Sequence, residues 1–280
     1  MPEADPRAHA RHAQDMALLV AAAREVGEIA LRYAAKGAQS WEKPDGQGPV
    51  TEADLAVDAA LHAALGAARP DYGWLSEERP DDPVRLGHER VFIIDPIDGT
   101  RAFMKGDQAW AHSLAVAEGG RVTAAVVFLP AMDKLYAAAR GQGATLNGAA
   151  IRATTTSSLT GARLLAAKPN YAPENWSGPV PDVSRHYRPS LAYRLSLVAE
   201  GRFDAMMTLR PSWEWDIAAG SLIVEEAGAT ACDRSGGPLV FNRDRPLLDG
   251  VIAASVGLQD QILSRLAPDA PRDPLPPLRD

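Results

Sequence analysis

The stretch Val91 to Phe103, VFIIDPIDGTRAF, drives four apolar residues straight into Asp95 and places a second carboxylate, Asp98, three positions later. Two carboxylates crowded in a poorly solvated place repel each other, so they require protonation or a cation. Pro96 fixes one backbone angle, and Gly99 permits a conformation that other residues avoid. The turn is therefore expected to be rigid and to hold both acids close together. Spacing alone leaves an alternative open: D-P-x-D-G can also form an Asx-type turn that caps a helix at Thr100.

Other acids share this placement at element ends. Glu77 and Glu78 close a short strand about twenty residues earlier, and Asp54 opens a helix earlier still. Asp216, in WEWDIAAG, stands at the head of another helix, where the helix dipole favours a charged carboxylate. Each has a plainer alternative: Asp216 as an N-cap, Glu77 and Glu78 as a solvated loop pair, Asp54 as a first-turn acid. Taken together, an all-oxygen set suits a hard cation such as Mg²⁺. Several carboxylates can hold two such ions about 4 Å apart, clamping the attacking and leaving oxygens of a phosphoryl group. Backbone N–H groups around Gly99 and Thr100 could cradle phosphate oxygens. Asp95 and Asp98 are three apart, unlike the D-x-D of aspartyl-phosphate phosphatases. A Walker loop, H-E-x-x-H and G-x-S-x-G are all missing.

The elements that must position these residues can be read from periodicity. Residues 1 to about 13 read as a loose tail, and Met16–Ala35 as one long helix. KPDGQGPV breaks the chain. Thr51 is a good N-cap, with Asp54 three residues on, for a helix to about Ala68. Asp54 and Asp58, four apart, share a face near its start. YGWLSEE and VFIID read as strands, followed by a hairpin at Gly119-Gly120 and a tight turn at Asn147-Gly148. In the second half RLLAAK, FDAMMTL, ATACDR and VIAAS are strand-like. SLAYRLSLVAEG reads as an amphipathic helix ended by Gly201, and DIAAGSLIVEEAG as a helix closing at Gly228. The expected organisation is an N-terminal α+β domain over 14–152, a C-terminal α/β domain over 153–262 and a Pro-rich tail over 263–280.

Composition narrows the function classes. Lys plus Arg is 29 against 36 for Asp plus Glu, a net charge of −7, which argues against binding a nucleic-acid polymer. A small anionic substrate remains compatible, because a metal ion inverts the local field. The lone Cys232 excludes a disulfide framework and reads as a buried thiol in a strand. No apolar run is long enough to span a bilayer, and the N-terminus lacks a secretory signal, so a cytoplasmic protein without a membrane partner is expected.

The segments GPVTEADLAVDAAL, GWLSEE, IIDPIDGTRAF and WEWDIAAGSLIVEEAG, in this order, resemble the inositol monophosphatase superfamily over about residues 15 to 256. These are Mg²⁺-dependent, typically lithium-sensitive phosphatases. The resemblance implies a layered αβαβα sandwich, of mixed α+β and α/β character, with two or three Mg²⁺ ions. It implies Glu77 as a metal ligand, Asp95 as a bridge between metals and the Ile97 carbonyl on the first ion. Asp98 and Asp216 would bind the second ion. Thr100 and Asp54 would orient and activate the attacking water, with no covalent enzyme intermediate. Gly99, Thr100 and Arg101 would meet the substrate. Family members are often dimers, so a homodimer is an expectation of the resemblance too.

Substrate choice lies outside this metal core. Inositol monophosphatases often carry an acidic residue seven positions before the last metal aspartate, and that position here is Leu209. LRPSWEWD, with Pro211 and Ser212, resembles instead the G-P-T-x-x-W-D pattern of bacterial 3′(2′),5′-bisphosphate nucleotidases, as do the helix around Arg194 and the basic Arg101. Arg101, Lys105, Arg194 and Arg210 are candidates for a second phosphate, with ordinary surface charge as the plainer reading. The expected reaction is removal of the 3′-phosphate of adenosine 3′,5′-bisphosphate. The alternative is an inositol-1-phosphate, histidinol-phosphate or related sugar-phosphate phosphatase.

Overall fold

A computed structural model describes residues 5–44, 48–268, 270 and 272. The first helix, α1 (Pro6–Lys36), starts ten residues before the expected one. Asp5 caps it, accepting from the Arg7 backbone N–H at 2.9 Å, and Pro6 takes the first helical position that suits proline. The stretch read as a loose tail is thus helical from Pro6. Its polar residues disguised a packed face: Asp15 is 1% exposed and receives Arg69 Nε and the Tyr72 hydroxyl, each at 2.9 Å.

An antiparallel ribbon of β1 (Ser40–Glu42) and β2 (Pro49–Thr51) flanks the Pro/Gly-rich breaker, of which residues 45–47 lie outside the described residues. The helix α2 (Glu52–Ala68) then opens on a complete capping box between Thr51 and Asp54. The chain next builds β3 (Gly73–Ser76), β4 (Arg90–Asp98), the short helix α3 (Thr100–Met104) and five more strands. These are β5 (Ala111–Glu118), β6 (Arg121–Leu129), β7 (Lys134–Ala139), β8 (Ala144–Leu146) and β9 (Ala149–Ala150). They form a seven-stranded sheet in sequence order, in which β3 and β4 are parallel and the other pairs antiparallel.

A second sheet uses β10 (Arg163–Leu165), β11 (Ser184–His186), β12 (Ala205–Thr208), β14 (Thr230–Cys232) and β16 (Val251–Ala254), in the order β11-β10-β12-β16-β14. A small pair, β13 (Ser212–Trp213) with β15 (Leu247–Leu248), stands apart. Between the sheets lie α4 (Leu191–Ala199) and α5 (Glu214–Glu226), and α6 (Val256–Arg265) covers the outer face of the second sheet.

The core explains the layering. Along β4, Phe92 and Ile94 pack with α1 and α2, while Val91 and Ile93 pack with α4 and α5. A strand buried on both faces reads as a continuous apolar run, as this one does. In the second sheet, Leu165, Met206 and Ala253 face α4 and α5, whereas Leu164, Met207 and Ile252 face α6. The result is a five-layer αβαβα sandwich. The amphipathic reading of α4 does not hold. All nine of its residues are buried, because the helix lies between two sheets and has no solvent face. Cys232 is buried in β14. The chain beyond 262 continues as helix to Arg265, and Leu266 then bridges to Trp176, so the start of the expected tail is docked. Residues 269, 271 and 273–280 lie outside the described residues.

Candidate active site

The carboxylates converge where β4 ends. The strand does not stop at Asp95 but runs through Asp98, and its pairing with β5 shifts register between those two residues. Such a bulge re-aims side chains. Here it brings ligand atoms of Asp95, Asp98 and, from the first turn of α5, Asp216 all within 4.8 Å of one another. Gly99 follows at φ +99°, and a Cβ there would lie 3.3 Å from the Ala109 carbonyl, so both conformation and space favour glycine.

Neither plainer reading of these aspartates survives. Trp213, not Asp216, occupies the N-cap position of α5. Asp98 does not cap α3; its Oδ2 accepts from the Ser190 hydroxyl at 2.6 Å and from the Ala192 backbone N–H at 2.7 Å, at the start of α4. One acid on the first sheet thereby tethers a helix of the middle layer.

Asp95 is 1% exposed, and its Oδ1 has no hydrogen-bond partner among the described residues. Burial first, then the negative charges of Glu77, Asp98 and Asp216, push its carboxyl well above the usual range. Burial likewise pushes Asp98 up to about 6, against the hydrogen bonds from Ser190 and Ala192. An all-oxygen cluster with an orphaned buried carboxylate oxygen and mutual repulsion fits a hard divalent cation.

Asp54 stands behind this cluster. Thr51 donates to its Oδ2 through the backbone N–H at 2.9 Å and the hydroxyl at 2.5 Å. Its Oδ1 lies 3.3 Å from the Thr100 hydroxyl, which can alternatively donate to the Ile97 carbonyl at 3.1 Å. Burial pushes Asp54 up to about 6.

Glu77, Asp95, Ile97, Asp98, Gly99, Thr100, Arg101 and Asp216 all line one open cavity of about 720 Å³. Asp54 is not on its wall and reaches it through Thr100. Of the four candidate cations, Arg101, Arg194 and Arg210 line the cavity and Lys105 does not. Arg194 is no surface charge: it is 5% exposed, and its guanidinium lies 4.5 Å from the Tyr187 ring centroid. Glu77 and Glu78 are not a solvated pair either. Lys43 Nζ lies 3.1 Å from Glu77 Oε1 and 2.6 Å from Glu78 Oε1, and burial together with Glu77 pushes Glu78 up to about 8.

A profile described as the inositol monophosphatase family matches residues 12–271. The chain belongs to the inositol monophosphatase family. As an inositol monophosphatase family protein it is a phosphatase, a hydrolase. It is 35% identical over 226 residues to the inositol-1-monophosphatase of Rhizobium meliloti, covering 77% of this chain and 80% of that one. It is 33% identical over 231 residues to the Nus factor SuhB of Escherichia coli K12, with 79% and 85% covered. Among solved structures, the extragenic suppressor protein suhB of Bartonella henselae superimposes with a TM-score of 0.75 at 27% identity, covering 90% of this chain and 97% of that one. The Thermotoga maritima IMPase gives the same TM-score and identity, with 90% and 95% covered. The family is metal-dependent, in keeping with the acidic cluster. Among the described residues no helix is long and apolar enough to cross a membrane.

Several residues of the site escaped sequence reasoning. Ser190 and Lys43 carry no motif. His112, fully buried, packs behind the bulge with Nδ1 against the Pro96 carbonyl, and burial pushes it down to about 4. It is therefore neutral, with Nδ1–H donating. Only its position opposite the D-P-I-D turn on β5 could have pointed to it.

Proposed function

We propose that this phosphatase is a Mg²⁺-dependent 3′(2′),5′-bisphosphate nucleotidase that converts adenosine 3′,5′-bisphosphate to AMP and phosphate. Glu77, Asp95, Asp98 and Asp216 would hold the cation, with the Ile97 carbonyl. When bound, Mg²⁺ supplies charge neutralisation, a Lewis acid for the phosphoryl oxygens and a more acidic water. The chain's own residues handle the proton. Thr100 accepts a hydrogen bond from the attacking water and passes its hydroxyl proton toward Asp54 Oδ1. Asp54 Oδ1, 3.3 Å from that hydroxyl, is the carboxylate oxygen placed to take it. Gly99, Thr100 and Arg101 form the wall against which the phosphoryl group rests.

The observation that carries the substrate assignment is the company of the carboxylates. Arg101, Arg194 and Arg210 share their cavity, while Leu209, where an acid would receive inositol hydroxyls, is apolar and 5% exposed. Arg101 and Arg210 suit a second phosphate, which a guanidinium can hold bidentately, while Arg194, donating to the Arg188 and Pro189 carbonyls, adds its charge to the same wall. The names of the relatives favour a second reading, inositol-1-phosphate hydrolysis. Comparing kcat/KM for adenosine 3′,5′-bisphosphate and inositol 1-phosphate separates the two. A preference of about tenfold or more for the nucleotide, roughly 1.4 kcal/mol, is expected. A preference for inositol 1-phosphate would contradict the nucleotidase assignment and leave the phosphatase reading intact.

A further inference from the structure

Asp54 has a neighbour one turn on that the chemistry above leaves unused. Asp58 is 4% exposed, and both of its oxygens are engaged. The Ser76 hydroxyl donates to Oδ1 at 2.6 Å, and Arg79 Nε forms an ion pair with Oδ2 at 2.6 Å. Ser76 immediately precedes Glu77–Glu78, and Arg79 immediately follows them. Ser76 Oγ also accepts from the Glu78 backbone N–H at 3.4 Å, and the Glu77 N–H donates to the Ile94 carbonyl at 3.1 Å. One side chain of α2 thus grips the acidic pair on both flanks, while a second, Asp54, addresses Thr100.

The grip has work to do. Glu77 and Glu78 repel each other and the Asp95 cluster, so without restraint the segment would relax toward solvent. Lys43 opposes that from one side through a single flexible amine. Asp58 acts on the side chains that flank the pair, Ser76 and Arg79, and through them on the direction in which it points.

We propose that Asp58 is a positioning residue: by holding Ser76 and Arg79 it sets Glu77 at a fixed reach from Asp95, Asp98 and Asp216, so that Glu77 can share a divalent cation with those three aspartates. The inference rests on the metal reading of the cavity. Outer partners of metal ligands commonly change metal affinity by about 10- to 100-fold when removed.

Calorimetric titration of the full-length protein with Mn²⁺ tests this. Asp58→Ala is expected to weaken Mn²⁺ binding about tenfold or more. Asp58→Asn, which keeps an acceptor for Ser76 but loses the charge facing Arg79, should fall between. At saturating Mn²⁺, kcat of Asp58→Ala should return to within a few-fold of the parent, roughly, because the residue touches no reacting atom. A purely structural role would lower the melting temperature and leave Mn²⁺ affinity unmoved, and that result would overturn the proposal. Should Asp58→Ala fail to fold, Ser76→Ala and Arg79→Met each release one flank, and parental affinity in both overturns it equally. Asp95→Asn separates the two layers of the argument. If it binds Mn²⁺ like the parent, the metal reading fails and takes this proposal with it. If it loses binding while Asp58→Ala retains it, the positioning role alone fails.

Discussion

Thr100 is the residue on which the proposed chemistry turns. Its hydroxyl can donate to Asp54 Oδ1 or to the Ile97 carbonyl, so it can relay a proton without moving its backbone. Thr100→Ala is expected to lower kcat by about 10²- to 10⁴-fold, the usual range for a lost proton-transfer group, with KM little changed. Steady-state kinetics on both parameters checks this, and an unchanged kcat contradicts the role. At this scale the sequence placed Asp95, Asp98 and Thr100 in one short motif and Asp216 at a helix head, and all four line one cavity. It was silent on Ser190, Lys43 and His112. Ser190 and Lys43 meet the acids from elements far away in the chain, and His112 meets the Pro96 carbonyl across the β4–β5 pairing, contacts that no motif encodes.

At the scale of elements, α4 and α5 are the pair that holds the site from behind. Asp98 ties to the start of α4, Asp216 sits in the first turn of α5, and the two helices approach closely at Gly220. A Cβ at Gly220 would fall 2.6 Å from Leu195 Cβ and Cδ1. Gly220→Ala should therefore cost about 1–3 kcal/mol of stability by overpacking, measured by denaturant unfolding. Parental stability would show that the helices can separate at no cost. The small residues of DIAAG were legible as a helix start, but the reason for their size was not, because it lies in Leu195 twenty-five positions earlier. The same limit explains α4, which reads as amphipathic although its polar Tyr193, Arg194 and Ser196 are all buried. It also explains the start of α1, where the buried His12 lies in a stretch read as a loose tail.

For the whole molecule, the site is a concentration of buried negative charge that the fold must tolerate. Burial raises Asp95 well above its ordinary value, Glu78 to about 8 and Glu214 to about 7. A raised carboxyl contributes stability below its unfolded value and loses it as pH rises through the folded value. The depressed His12, His62 and His112 run the other way, contributing above 6.5 and losing that contribution as pH falls. Between pH 6.5 and about 8 only the carboxylates act among these groups. In chelator, the melting temperature should fall as pH rises through that window. Added Mg²⁺ should raise it, and more at the alkaline end, because cation binding to the folded state opposes the same repulsion. A melting temperature flat with pH and indifferent to Mg²⁺ would contradict the charge picture. The continuous apolar run VFII announced a strand covered on both faces, whereas the five-layer order was implied by the family resemblance and not by any local pattern.

The most direct test of the account is phosphate release from adenosine 3′,5′-bisphosphate by the parent protein and by Asp95→Asn, each titrated with Mg²⁺ from a chelated start. The account predicts no turnover in chelator and saturable recovery in the parent. It predicts a loss in Asp95→Asn exceeding the roughly 100-fold upper range of outer partners, with the melting temperature of the variant maintained. Chelator-resistant turnover, or parental kcat in Asp95→Asn, would contradict a phosphatase built on this carboxylate cluster.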